Sequence, residues 1–185
     1  MRGSRARAGR ALIVRLLQGP AFAEIFCNLQ HSAFHLEVED SYHTPDESEP
    51  FQAFLNGTPD EFEWHRPWLD LVRQTTKDGK RIERIRIISV PHVDYTRWGL
   101  TVAPLNIAAG EEIRWLPRRL TEGMEVTADD FWLIDRERVV FTVFTPDGTF
   151  SGGAETVDRA IVERCVRVRD ALWPIAVPHA DYVNR

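Results

Sequence analysis

Three arginines carry the chemistry that stands out first: Arg84 and Arg86 in "RIERIRIISV", and Arg114 in "EEIRWLP". Arg84 and Arg86 are two residues apart, so in a strand they share one face. Arg114 is expected to point the same way from the neighbouring strand. Three guanidinium groups on one sheet face would hold a carboxylate or a phosphate through paired N–H donors. The plainer alternative pairs them with Glu112, Asp130 or Asp135 on the same surface. Asp94, Tyr95 and Arg97 form a second candidate set, because they follow the strand at the end where α/β sheets place ligands.

Other chemistries find less support. His31 and His35 have a spacing that suits a metal on a helix, yet residues 33–39 alternate as a strand, so no metal site is expected. There is no Gly-rich phosphate loop, and "SGG" at 151–153 lacks the lysine and following helix of one. There is no GxSxG, and no cofactor is expected. Cys27 and Cys165 are isolated, which fits two thiols in a reducing cytoplasm better than a disulfide.

The elements that must position these residues are legible from periodicity and breakers. Residues 21–30 repeat apolar side chains at helical spacing. "AFHLEVED" alternates as a half-buried strand. "TPDESEPFQAFLNG" starts a helix at Thr44-Pro45 and stops it at Gly57, and "WLDLVRQTTKDG" forms another that ends at Gly79. Residues 81–90 are the clearest core strand. "HVDYTRWGLTVAPLNIAAG" is a helix that Pro104 should interrupt or kink, and Asn106, Gly110 and Glu111 are explained by its C-terminus alone. "DDFWLIDRERVVFTVF" reads as strands 130–135 and 138–145, apolar on both faces, with Asp135 opening the turn. A short strand near 149–155 and a helix over 157–173 complete an α/β or α+β domain with a mixed sheet. "VPHVDY" (90–95) and "VPHADY" (177–182) repeat a Pro-directed turn near a helix start.

The sequence has 185 residues, 43% hydrophobic and 28% charged, ordinary for one globular domain with an extension. The formal charge of −5 is uneven. Arg2, Arg5, Arg7, Arg10 and Arg15 are the only charges in residues 1–20, so residues 21–185 carry −5 − 5 = −10. That acidic body argues against direct nucleic-acid binding. "RALIVRLLQGPAFA", residues 10–23, mimics a signal peptide, but Arg15 breaks its apolar run. Residues 1–20 are read as a basic, disordered tail or a start set too far upstream, with the domain over 21–185, no membrane span and a cytoplasmic location.

Taken together, "HSAFHLEVEDSY", "PFQAFLNG", "PWLDLVR", "GKRIERIRIISVPHVDY", "LNIAAGEEIR" and "DFWLID" resemble the DUF6879 family, an actinobacterial domain of unknown function. The resemblance runs from about residue 22 to about 182. It implies no established activity and no active site, but it does imply a neighbouring helix-turn-helix regulator as partner. The back half is also similar to a phospholipase D-like half-domain. Those enzymes carry His-x-Lys, four residues, then Asp, the His as nucleophile and the Lys on phosphate. Setting Asp135 at that Asp puts Ala128 at the His position and Asp130 at the Lys position. The resemblance therefore implies a catalytically empty copy.

The resulting expectation is a non-enzymatic accessory or regulatory protein that binds a partner protein or a small ligand. One alternative is an enzyme or sensor acting on an anionic small molecule, with Asp94 or Asp135 as base. A second is one half of a toxin–antitoxin-like pair, its acidic body masking a basic partner.

Overall fold

Apolar runs of period two and helical stretches alternate along the chain. The computed structural model, which describes residues 14–184, assembles them around one eight-stranded sheet. The strands are β1 (Arg15–Leu17), β2 (Ser32–Glu37), β3 (Arg81–Ile88), β4 (Glu112–Pro117), β5 (Phe131–Ile134), β6 (Arg138–Phe144), β7 (Phe150–Thr156) and β8 (Val177–Pro178). The helices are α1 (Pro20–Cys27), α2 (Pro45–Leu55), α3 (Arg66–Lys77), α4 (Asp94–Ala109), α5 (Arg159–Leu172) and α6 (His179–Val183). The strand order is β1-β7-β6-β5-β2-β3-β4-β8. Strands β2, β3 and β4 pair in parallel and the other pairings are antiparallel, giving the expected mixed α/β sheet.

Both faces of the sheet are covered. On one, Phe34, Leu36, Ile85, Ile87, Phe131 and Leu133 meet Val162, Cys165, Val168 and Leu172 of α5. On the other, Ala33, Ile82, Trp132, Ile134 and Val140 meet Ile25, Phe26 and Leu29 of the α1 region and Leu69 and Val72 of α3. Ile88, Ile113 and Trp115 pack with Ala103 of α4 on that same side. Burying these side chains contributes about 1.5–3 kcal/mol each relative to leaving them in water.

Three expectations change. Strand β2 is buried at all six positions rather than on one face, because helices cover both sides of its neighbours. Helix α4 runs unbroken through Pro104. The ring removes one hydrogen bond, and burial of Val102, Ala103 and Asn106 holds the helix in place. Part of the expected tail is also structured: Arg15–Leu17 pair with Gly153–Glu155 of β7, and Leu17 is buried. The remainder of that tail, residues 1–13, lies outside the described residues.

The β5–β6 hairpin turns on Asp135 and Arg136, both at positive φ (51° and 60°), closed by Glu137 N–H donating to the Ile134 carbonyl at 3.0 Å. The Asp135 carboxylate accepts the backbone N–H groups of Gln30, His31 and Ser32. Partial burial would raise its pKa, but those donors outweigh it and hold it below the usual carboxylate value. Asp135 thus ties the hairpin to the start of β2. Among the described residues no helix is long and apolar enough to cross a membrane.

Candidate functional site

Strands β2 and β3 lie at the sheet centre, yet four of their residues on the side of α3 and α4 are polar: His35, Glu37, Arg84 and Arg86. Charges buried there must be matched by partners. Arg84, 8% exposed, donates from Nε to Glu111 Oε1 at 2.6 Å and from a terminal nitrogen to Glu37. Burial alone would lower its pKa; the Glu111 and Glu37 carboxylates reverse that and raise it above the ordinary arginine value. Arg86 Nε stands 2.6 Å from the other Glu37 oxygen. Gly99 of α4 makes room for this, since a Cβ there would collide with the Arg86 guanidinium.

Glu111 is the anchor of this network. Helix α4 ends at Gly110, which adopts the left-handed conformation (φ 110°) where a Cβ would meet the Thr76 side chain. The next residue, Glu111, is 2% exposed and accepts from Trp68 Nε1 at 3.1 Å and Asn106 Nδ2 at 2.7 Å, besides Arg84. Asn106 Oδ1 lies 2.5 Å from His65 Nε2. Asn106 and Glu111 therefore do more than finish a helix: they hold the buried guanidinium.

The arginine triad of the sequence does not converge. Residue 114 sits opposite Ile85 in the β3–β4 register, while Ile113 and Trp115 sit opposite Arg84 and Arg86. Arg114 therefore projects from the other face, stacks on Trp173 with its guanidinium carbon 4.1 Å from the ring centre, and pairs with Glu112 at 2.7 Å. Its strand was assigned correctly, but the register with β3 is a tertiary property that spacing within one segment does not reveal. Asp94 and Arg97 pair with each other on the exposed first turn of α4. Tyr95, by contrast, is buried and donates its hydroxyl to Glu47 Oε2 at 2.5 Å. Of Glu112, Asp130 and Asp135, the acids expected to neutralise the three arginines, Glu112 does pair with Arg114, whereas Arg84 and Arg86 are matched by Glu37 and Glu111.

Above this charged floor lies a cleft of about 430 Å³, within the range of small-molecule sites. Its walls are aromatic: Phe22 and Phe26 from α1, Trp64 and Trp68 beside and on α3, Tyr95 and Trp98 from α4. Tyr42, Phe144 and Phe150 close one side, and Trp132 belongs to the floor. Trp64 and Trp98 stack at 5.5 Å, and Tyr95 meets Trp98 edge-on at 5.3 Å.

Four polar groups in this cleft are unusual. His35 stacks flat on Trp132, with ring centres 4.1 Å apart, and neither ring nitrogen has a hydrogen-bond partner among the described residues. Its Nδ1 is 3.4 Å from Glu37 Oε1, without hydrogen-bond geometry. Burial first, then the Arg84 and Arg86 charges, push its pKa well below the usual imidazole value, so the ring is neutral. The Thr142 hydroxyl is likewise buried without a hydrogen-bond partner among the described residues. Asp130 accepts the Val38 N–H at 2.7 Å, and burial, reinforced by the Glu37 carboxylate, raises its pKa to about 7. Glu47 is also raised, by burial against the Tyr95 hydrogen bond.

Of the six site residues expected from sequence, Arg84, Arg86 and Tyr95 line the cleft and Asp94, Arg97 and Arg114 do not. His35, Glu37, Glu47, His65 and Thr142 also line the cleft and were missed. A signal was available: polar residues at alternate positions of both central strands mark a sheet face that cannot be simple core. Among the described residues no group of three His, Cys, Asp or Glu side chains is placed to hold a metal.

The family model for a domain of unknown function, DUF6879, matches residues 20–184, and the chain belongs to that family. No curated protein matches the chain. Among solved structures, NucT from Helicobacter pylori is similar at a TM-score of 0.54 and 10% identity, over 91% of this chain and 99% of that one. TrmBL2, an archaeal chromatin protein whose structure shows a novel mode of DNA binding, is similar at a TM-score of 0.47 and 11% identity, over 95% of this chain and 57% of that one. The likeness to NucT is one of fold, and that fold is phospholipase D-like. It extends beyond the back half to nearly the whole chain.

Proposed function

We propose that this DUF6879 domain is a non-enzymatic binding module that takes a small organic molecule into the aromatic cleft. The observation that carries the reading is His35. A neutral imidazole buried with both nitrogens unpartnered costs about 1–3 kcal/mol per unmet group, and a bound molecule offering a donor and an acceptor would recover that cost. The aromatic walls would supply the apolar part of the affinity. The phospholipase D-like reading favours binding over catalysis, because setting Asp135 at that family's motif aspartate puts Ala128 and Asp130 at the positions of its nucleophile and phosphate-binding lysine.

The ligand state would be passed to a helix-turn-helix regulator in the cytoplasm of an actinobacterium, the partner that the family resemblance suggests. The acidic body suits contact with a basic partner better than direct contact with nucleic acid.

The test is a small-molecule library screened by thermal shift and tryptophan fluorescence, with the His35→Phe variant in parallel. Hits that stabilise the wild type and quench its tryptophans, but act weakly on the variant, support the reading. Hits that act equally on both place binding elsewhere. For the partner, the tagged protein is recovered from its native host with and without a confirmed hit. Enrichment of a helix-turn-helix protein that changes with the hit supports the coupling, and recovery without one refutes it.

A further inference from the structure

The cleft is not electrically neutral, and the imbalance has one sign. Arg84 and Arg86 are its only cationic lining side chains among the described residues, since His35 and His65 are held below the usual imidazole value by burial first. Both guanidiniums are matched by Glu37 and Glu111, so the four charges sum to zero. What remains on the walls is acidic: Glu47 and Asp130 deep in the cleft and Asp46 at its exposed mouth. Neither Glu47 nor Asp130 lies within ion-pair distance of a cation among the described residues; Glu47 has the Tyr95 hydroxyl and Asp130 the Val38 N–H.

Aromatic rings line the same cleft as these acids. Tyr42 lies 5.7 Å from Tyr95, and Tyr95 and Trp64 both pack on Trp98. A cleft that combines carboxylates with aromatic rings attracts an organic cation by charge and, where a ring face is reached, by its quadrupole. An anion entering the same space would meet Glu37, Glu47 and Asp130 and no unmatched guanidinium.

We infer that the molecule accepted by this cleft is an organic cation, a protonated amine or quaternary ammonium on an apolar body, with Glu47 and Asp130 as its counter-charges. This rests on the ligand-binding reading above and reverses the anionic ligand that the arginines suggested from sequence. The neutral His35 ring and the Thr142 hydroxyl then serve the polar, uncharged part of the same molecule. The raised pKa of Asp130 adds a consequence. The carboxyl is partly protonated near neutrality, so a bound cation would expel that proton and affinity would rise with pH through about 7.

The experiment compares three probes of one shape by calorimetric titration of the full chain. One is benzyltrimethylammonium; the others are near-isosteric benzyl compounds whose dimethyl carbon carries an alcohol or a carboxylate in place of the charged nitrogen. The cation is expected to bind at least about tenfold tighter than either, a difference of about 1.4 kcal/mol. Glu47→Gln, which keeps an acceptor for the Tyr95 hydroxyl, is expected to remove that preference without lowering the melting temperature, and Asp130→Asn to flatten the pH dependence. Equal binding of cation and alcohol, or tighter binding of the carboxylate, overturns the cation inference and leaves the cleft as a binding site. Binding of none of the three overturns both readings.

Discussion

Replacing His35 with phenylalanine removes two ring nitrogens from the cleft floor and keeps a flat ring on the Trp132 indole, now 4.1 Å away. In the folded protein neither nitrogen makes a hydrogen bond among the described residues, whereas in the unfolded chain both are hydrated. The variant is therefore expected to be more stable than the wild type in the absence of ligand, by about 1–2 kcal/mol. For a chain of this size that is a rise in melting temperature of roughly 2–8 °C. A second signature comes from pH. Burial, and then Arg84 and Arg86, hold the His35 pKa well below 6.5 in the fold, so below that pH the unfolded chain binds a proton that the folded chain refuses. Wild-type stability then falls as the pH drops, by about 1.4 kcal/mol per unit until the folded pKa is reached. The phenylalanine variant lacks this loss, so its advantage is wider at pH ~5.5 than at pH ~7.5, by roughly 1 kcal/mol. Guanidinium denaturation of both proteins at the two pH values measures it. A variant less stable than the wild type, with a gap that does not widen in acid, would refute the claim that His35 is an unpaid cost of an open site.

The remaining predictions concern the groups that shape the cleft. Arg84→Leu leaves the Glu37 and Glu111 carboxylates buried without their shared cation and is expected to cost about 3–5 kcal/mol; Arg97→Ala, whose ion pair with Asp94 is exposed, should change chemical-denaturation stability by less than about 1 kcal/mol. Asp135→Ala removes the acceptor of three backbone N–H groups and should cost about 2 kcal/mol or more in the same assay. Asp130→Asn should gain on the wild type as pH rises through about 7, because ionising the buried carboxyl penalises only the wild-type fold. Urea denaturation from pH ~5 to ~9 should show that gain as roughly 2–4 kcal/mol.

Much of the fold was legible because its signals are local. Pro45 and Gly57 bracket α2, Gly79 and Gly110 close α3 and α4, and the apolar faces of 131–144 require a covered hairpin. The family phrases identified the family over nearly the whole chain. The site was less legible because its parts come from different elements. Arg84 and Arg86 share a face by their own spacing, but the orientation of Arg114 depends on which β4 residue sits opposite Ile85. Glu37 and Glu111 are 74 residues apart and meet only because β2 and the end of α4 both flank β3. The spacing of His31 and His35 suits a metal only on a helix, and residues 33–39 read as a strand; the meaning of His35 comes from Trp132 beneath it and from ring nitrogens without a hydrogen-bond partner among the described residues. Local spacing identifies which side chains share a face, and only the strand register decides what that face encloses.

The most direct test of the central claim is a crystal structure of the protein with the tightest ligand found in the screen. The account predicts density inside the aromatic cleft, with a polar atom of the ligand at hydrogen-bond distance from a His35 ring nitrogen and a cationic group against Glu47. A ligand bound outside the cleft, or a cleft filled by a side chain while the ligand sits elsewhere, would contradict it.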